Sequence, residues 1–158
     1  MASENRTLVF RERPKPCAGD MRISWRLSVC LLSLIHSRGK KASLAKMHVL
    51  NDALRSVASR QKLTDIIQGE LPPVFWKLRV EPAFSRALDF LVGEGFATWE
   101  ISSGKTSIKL TPEGVLAAKV IEENSEILVD EREFLGGVAK KITEGFIQSL
   151  LTTGRQLL

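Results

Sequence analysis

Apolar residues recur every three or four positions in three segments of the first hundred residues, which predicts three amphipathic helices. The first helix is predicted over residues 25–37, with Ser24 as its N-cap. The second is predicted from near residue 43 to about residue 60. The third is predicted to begin at Pro82, because proline suits the first turn of a helix, and to end at a glycine at 93 or 95. Its apolar positions at helical spacing are Phe84, Ala87, Leu88 and Leu91.

Apolar and polar residues alternate later in the chain, and this pattern predicts strands. Residues 74–80 (VFWKLRV) have the alternation and the aromatic content of a strand, with both aromatic rings at least partly buried. Residues 96–101 and 107–111 alternate on either side of a turn that contains glycine, which predicts a β-hairpin. Thr111 and Pro112 then predict the N-cap and the first residue of a fourth helix.

A last long helix is predicted from about residue 130 to residue 151, with a kink at Gly136–Gly137, where helix propensity is low. Its apolar face requires a partner, which is either the first helix of the same chain or another subunit. The candidate partner contacts on this face are Phe134, Val138, Ile142 and Phe146, with Ile147 as the alternative to the last.

Charge is distributed unevenly along the 158 residues. Residues 1–62 hold 13 Lys and Arg against 4 Asp and Glu, whereas residues 63–158 hold 10 against 14. The basic character therefore lies towards the amino terminus. A basic surface can meet either nucleic acid or an acidic protein, and charge alone does not choose between them.

Several classes of function are disfavoured by the sequence. Cys17 and Cys30 form no Cys-x-x-Cys pair, so we expect no metal site, and no cofactor is indicated. The tripeptide Gly104–Thr106 lacks the upstream glycine of a phosphate-binding loop, and no nucleophile elbow or zinc-protease motif occurs. We therefore expect no enzyme activity. The longest apolar stretch, residues 27–35, is too short to span a membrane and lies too far along for a signal peptide, so we expect a cytoplasmic protein without a membrane partner.

Three helices followed by a hairpin and a further helix resemble a winged helix. Residues 87–96 (ALDFLVGEGF) and 108–114 (IKLTPEG) are similar to the segments of that fold that end the third helix and the wing. A glycine is needed where a helix turns abruptly into a strand, and Thr-Pro restarts a helix after the wing. The expected fold class is mainly α (α+β), with a winged-helix domain.

A winged helix suggests DNA binding, with the third helix in the major groove and the wing along the backbone. The candidate contacts are Arg86 on the helix, Lys105 and Lys109 on the wing, and Lys40–Lys41 between the first two helices. However, Asp89 and Glu94 oppose Arg86 on or near the third helix. The sequence therefore favours a winged helix used for protein contacts.

The expected domain organisation has three parts. Residues 1–22 form an extended basic arm, residues 23–123 form the winged-helix-like domain with an insertion at about 61–81, and residues 124–158 form a C-terminal helix that packs on the domain or on a partner. The arm contains a short apolar and basic run that is a candidate partner contact. These residues are Leu8, Val9, Phe10, Arg11 and Arg13.

The basic arm, the segment SWRLSVCLLSLIHSRGKKASLAKMHVLNDAL and the late winged-helix half together resemble the middle component of bacterial three-component ABC-ATPase defence systems of the Lamassu type. The resemblance covers roughly residues 8–121. It implies a non-enzymatic scaffold in an anti-phage complex, with two partners: an ATPase similar to structural-maintenance-of-chromosomes proteins, which senses DNA, and an effector that is often a nuclease. DNA contact would then come through the complex, and no catalytic residue is carried over. The alternative is a homodimeric winged-helix transcription regulator that binds DNA.

Overall fold

The computed structural model describes residues 23–155. This part of the chain forms seven α-helices, three strands and two short 3₁₀ helices. The helices are α1 (Ile23–Ile35), α2 (Leu44–Leu54), α3 (Val57–Gln68), α4 (Pro82–Gly93), α5 (Pro112–Glu123), α6 (Val129–Val138) and α7 (Glu144–Arg155). The strands are β1 (Lys41–Ser43), β2 (Ala97–Ser102) and β3 (Lys105–Leu110), and the 3₁₀ helices span Arg38–Lys40 and Pro73–Phe75. The described residues are mainly helical with a small antiparallel sheet, which confirms the predicted α+β class.

The sheet has the order β1–β3–β2, with β3 antiparallel to both neighbours. β2 and β3 pair along all six residues of each strand, and this confirms the predicted hairpin. Its turn, Ser103–Gly104, has positive φ angles of 52° and 73°, as a two-residue turn of type I′ requires. The sequence did not predict β1, since three residues are too few to show alternation.

The junction of the hairpin with α5 forms as predicted. Thr111 is the N-cap of α5: its Oγ1 accepts a hydrogen bond from the Gly114 N–H at 3.1 Å and donates one to the Gly95 carbonyl at 2.6 Å. A Cβ at position 114 would lie 1.8 Å from the carbonyl oxygen of Phe96. Glycine therefore lets the first turn of α5 pack directly on the backbone that follows α4.

The first helix lies between two clusters of buried side chains. Val29 and Leu32 pack with residues of α2, α3, α6 and α7. Leu31 and Leu34 pack with α4, the sheet and α5, where all four apolar positions predicted for α4 are buried. Of the two partners considered for the last apolar segment, the structure shows the intramolecular one. The helix also includes Ser24, so that residue is not the N-cap that the sequence predicted.

The second predicted helix, over residues 43–60, is wrong in its extent. Ser43 is the N-cap of α2, as expected, but the helix ends at Leu54. Ser56 has an extended backbone, and its Oγ accepts a hydrogen bond from the Ser59 N–H at 3.0 Å, which starts α3 as a new helix. Val57, which lies inside the predicted helix, begins α3 in the structure and is 73% exposed. The expected insertion at about 61–81 thus contains most of α3.

The strand predicted over residues 74–80 is also wrong. Residues 73–75 form a 3₁₀ helix, and residues 76–81 belong to no strand in the described part of the chain. Trp76 is buried in the cluster that contains α7, whereas Phe75, expected to be buried at least partly, is 55% exposed. The Arg79 N–H donates a hydrogen bond to the Asp52 carboxylate at 3.2 Å. The acceptor is thus a side chain, where in a sheet it would be the backbone carbonyl of a neighbouring strand.

The single long helix predicted over residues 130–151 is two helices. Gly136–Gly137 lie in the last turn of α6, which ends at Val138. Thr143 then precedes α7, and its Oγ1 accepts a hydrogen bond from the Phe146 N–H at 3.1 Å. The predicted kink is therefore a complete break, because the glycines weaken the end of one helix and Thr143 caps the start of the next.

Candidate functional site

The sequence predicted possible DNA contacts on its third helix, which the structure shows as α4, and these would lie on the outward face of α4. Arg86 is exposed there, as predicted, and so are Asp89 and Phe90, while Glu94 follows the helix end. Phe90 is 48% exposed. One cation with two carboxylates is a poor match for phosphate, since like charges repel and binding to DNA depends on several cations. An exposed aromatic ring is typical of protein contacts.

The other four cations predicted from the sequence lie around the sheet. Lys41 and Lys109 are paired residues of β1 and β3, so their side chains share one face of the sheet. Lys105 lies on the same face at the start of β3, by the alternation of a strand. Lys40 precedes β1 in the 3₁₀ helix and is exposed. The structure thus brings Lys40, Lys41, Lys105 and Lys109 into one region and places Arg86 on a different element.

Two cavities open beside these cations. The larger, of about 1150 Å³, has an apolar lining that includes Ile35, Pro112 and Leu116, with Lys40 and Lys109 among its cations. The smaller, of about 490 Å³, is here called the basic cavity. It lies between β1, the hairpin and the connection from α6 to α7. The cationic side chains that line it are Arg38, Lys41, Lys46, Lys105 and Lys140.

Lys46 distinguishes the basic cavity from an ordinary charged surface. Only 5% of this residue is exposed, and its Nζ donates a hydrogen bond to the Ala139 carbonyl at 2.6 Å. Burial lowers the pKa of Lys46, and the charges of Glu144 and Arg38 act on it in opposite directions, Glu144 raising and Arg38 lowering it. The sequence does not single out Lys46, because the carbonyl that accepts its hydrogen bond is 93 residues away.

Two carboxylates are close to the basic cavity. Glu144, in the first turn of α7, is the one that lines it. Glu100 on β2 forms an ion pair of 2.6 Å with Lys41, and the hydrogen bond from Lys41 lowers the pKa of Glu100. Both partners of that pair are about a third exposed, so the interaction is weak and readily exchanged.

A second group of charges, of which Arg26 is buried and Glu81 and Arg55 are partly buried, joins α1, α2 and α4. Glu81 precedes α4 and accepts a hydrogen bond from the Arg26 guanidinium at 2.7 Å, while its other oxygen contacts Arg55. Burial acts to raise the pKa of Glu81, but the hydrogen bond from Arg26 and the charges of both guanidinium groups outweigh it, so the pKa is lowered. These three residues, Glu81, Arg26 and Arg55, are here called the Glu81 cluster, and their contacts with one another hold α1, α2 and α4 together.

The predicted partner contacts fall into three groups. Val138 and Ile142 are buried in the chain's own core and offer no surface to another protein. Phe134 and Phe146 are half-buried against the same core. The remaining predicted contacts lie outside the described residues. They are Leu8, Val9, Phe10, Arg11 and Arg13.

A third cavity, of about 850 Å³, lies beside the segment that joins α3 to α4. Phe75 and Trp76 line it together with several cations and with Asp52. Burial raises the pKa of Asp52, although the hydrogen bond from the Arg79 N–H acts against this shift. This groove combines aromatic rings with mixed charges, and Arg55 of the Glu81 cluster is among its cations.

Among residues 23–155, no group of three or more His, Cys, Asp or Glu side chains is placed to hold a metal ion. None of the described helices has the length and apolar character needed to cross a membrane. Comparison of the chain with protein-family models, with curated proteins and with solved structures found no match.

Proposed function

We propose that this chain is a non-enzymatic adaptor with a winged-helix arrangement, which binds other protein subunits rather than reading DNA sequence. The strand order β1–β3–β2 supports the arrangement, with β1 between α1 and α2 and the hairpin between α4 and α5. In this interpretation α4 is the third core helix, α3 is the insertion and the β2–β3 hairpin is the wing.

The outward face of α4 is the observation that carries the proposal. A helix used to read bases needs donors for base edges and cations for phosphates. This face instead offers the half-exposed ring of Phe90, with Arg86 set against Asp89 and Glu94. Exposed aromatic residues are frequent anchors of protein interfaces, and carboxylates beside them disfavour a nucleic-acid partner.

The biological setting of the proposal comes from the family resemblance. The chain would connect an ATPase similar to structural-maintenance-of-chromosomes proteins to an effector in a cytoplasmic anti-phage complex. DNA sensing would belong to the ATPase, and the adaptor would help to hold the effector inactive until DNA rearranges the assembly.

Co-purification tests the proposal directly. A tagged chain expressed with its neighbouring genes should recover a large coiled-coil ATPase and an effector. Phe90→Asp should abolish recovery of at least one partner, because it buries a charge at the contact. Val57→Asp is the matched control, since Val57 is more exposed and lies on α3. Equal recovery with wild type and both variants, or no partner with any of them, would contradict the adaptor function.

The cations around the sheet favour a second candidate, a homodimeric winged-helix regulator that binds DNA. Lys105 and Lys109 lie on the β2–β3 hairpin, where a wing follows the phosphate backbone. This alternative predicts a homodimer in sedimentation and a DNA affinity that falls steeply with salt. Replacing both lysines with Gln should then weaken binding to every sequence by a similar factor. A monomer that shifts no DNA fragment at low salt would remove this candidate.

A further inference from the structure

We propose that the basic cavity is a binding site for a short chain of phosphate groups, such as tripolyphosphate or the phosphates of a nucleotide. This site is independent of the adaptor surface on α4. Its lining combines the five cations named above with one carboxylate and several hydroxyl groups. The hydroxyl-bearing residues are Ser43, Ser102, Ser103, Ser107 and Thr143. Ammonium, guanidinium and hydroxyl groups are the donors that proteins use for phosphate oxygens.

The ammonium group of Lys46 is the central part of the site. An ammonium has three N–H donors, and the carbonyl of Ala139 accepts one of them. Glu144 is the carboxylate that acts on this charge, but it forms no ion pair with Lys46 among the described residues. A buried cation without a paired anion is costly unless a ligand supplies the missing charge and acceptors. A phosphate group supplies both.

Two helix N-termini meet at the same cavity and add to its positive potential. Ser43, the N-cap of α2, and Thr143, which precedes α7, both line it. The two helices have 11 and 12 residues, long enough for a positive dipole end with free backbone N–H groups. Anions commonly bind at such ends. In this cavity the two helix ends coincide with the buried ammonium of Lys46.

The dimensions favour a small phosphorylated ligand over a duplex. The cavity holds about 490 Å³, within the range of sites for small molecules. Lys46 is almost completely buried, so a rigid double helix that rests on the surface would not reach its ammonium group. A flexible phosphate chain can enter and still contact Lys105 and Lys140, which are exposed at the edge.

Glu144 and Glu100 lower the affinity of the site for anions but do not block it. Glu144 repels an anion, so the wild-type affinity is lower than the cations alone would give. Glu100 forms a partly exposed ion pair with Lys41, and a phosphate group can replace the carboxylate of Glu100 in this pair at little cost in free energy. The site therefore prefers ligands with several negative charges over a single inorganic phosphate.

Isothermal titration of the full chain with tripolyphosphate tests the proposal. Wild type should bind with one saturable site, and Lys46→Met should weaken the affinity at least tenfold. Glu144→Gln should strengthen it about threefold, because it removes the one lining carboxylate. Lys119→Gln is the matched control, since it deletes a positive charge from the exposed face of α5 and should change the affinity less than twofold.

A second variant keeps the test valid if Lys46→Met does not fold. Lys105→Gln combined with Lys140→Gln changes only exposed side chains and should also weaken binding about tenfold. ADP and a short DNA duplex, titrated in parallel, distinguish the sources of phosphate: competition of ADP with tripolyphosphate supports a nucleotide ligand. No saturable binding of tripolyphosphate to wild type, equal affinity in the Lys46→Met variant, or a Lys46-dependent affinity for duplex alone would overturn the proposal.

Discussion

The Glu81 cluster and the basic cavity bury a cation in opposite ways. In the Glu81 cluster, the carboxylate of Glu81 contacts the guanidinium groups of Arg26 and Arg55, and the side chain of Arg26 is 9% exposed. In the basic cavity, the Lys46 ammonium is buried as deeply, but its hydrogen bond goes to an uncharged carbonyl. Among residues 23–155, Arg26 is therefore paired with a carboxylate, whereas Lys46 forms no ion pair.

This difference separates structural charge from functional charge. A paired buried ion contributes to stability mainly because removing one partner leaves the other unpaired. An unpaired buried cation lowers stability in the free protein, and a ligand that neutralises it gains binding energy. The number of cations near a cavity is therefore a weaker guide to function than whether a buried cation there has a counter-ion.

Glu81→Gln should produce the largest effect on stability. The substitution removes the charge that neutralises Arg26 and Arg55, so we expect the free energy of unfolding to fall by about 3 kcal/mol. Chemical denaturation measures this loss. Glu122→Gln is the matched control, because Glu122 pairs with His36 at 3.0 Å but its side chain is 35% exposed, and it should cost less than about 1 kcal/mol. Equal losses of stability in the two variants would show that the Glu81 cluster stabilises the fold no more than the partly exposed pair of Glu122 and His36.

Acidification should weaken the same region in two separate steps. Burial lowers the pKa of His48, with the charge of Glu81 acting against it, so the unfolded chain takes up this proton first as the pH falls below 6.5. The pKa of Glu81 is also lowered, so its contribution is lost only as the pH falls below 4.5 towards the folded-state value.

Urea denaturation at a series of pH values measures both steps. His48→Leu should remove the loss of stability that begins near pH 6.5 and leave the more acidic step in place. Glu81→Gln should reduce the acidic step, and the part that remains includes the contribution of Glu100, whose pKa is also lowered. If the wild-type stability is constant between pH 7 and pH 5, the interpretation of His48 as a buried neutral ring is wrong.

Lys46→Met should change stability least. The substitution loses a hydrogen bond to the Ala139 carbonyl but also removes a desolvated charge, and we expect the two effects to offset to within about 1 kcal/mol. Thermal unfolding without and with tripolyphosphate measures the comparison: the anion should raise the Tm of wild type by more than it raises the Tm of the variant. A loss as large as that of Glu81→Gln would place Lys46 among the structural charges.

The fold was predictable where local signals determined it. The start of α4 is determined by Pro82, and the start of α5 by Thr111 and Pro112. The turn from α4 into the hairpin is made by Gly95. Each of these residues acts through its immediate neighbours. The break at Ser56 carried a weaker local signal, and the apolar spacing on both sides of it favoured one long helix. β1 and the irregular segment after Trp76 depend on distant contacts, which periodicity does not show.

The candidate site was predictable only in part for a similar reason. Lys41, Lys105 and Lys109 stood out as cations beside the predicted wing, and the sheet brings them together. Lys46 lies on α2, which follows β1 directly, and Lys140 lies in the α6–α7 connection, where the sequence predicted a single kinked helix. The position of Lys140 depends on the break between α6 and α7, because an unbroken helix through that region would have carried Lys140 away.

The close approach at Gly114 has a consequence for how this sequence can vary. Because any side chain at this position would overlap the Phe96 carbonyl oxygen, a saturation library at position 114 should return glycine alone among folded variants. The neighbouring exposed positions of α5, such as Leu116 and Val120, carry no such restriction. Descendants of this chain can therefore change the outer surface of α5 freely while the junction beneath it stays fixed.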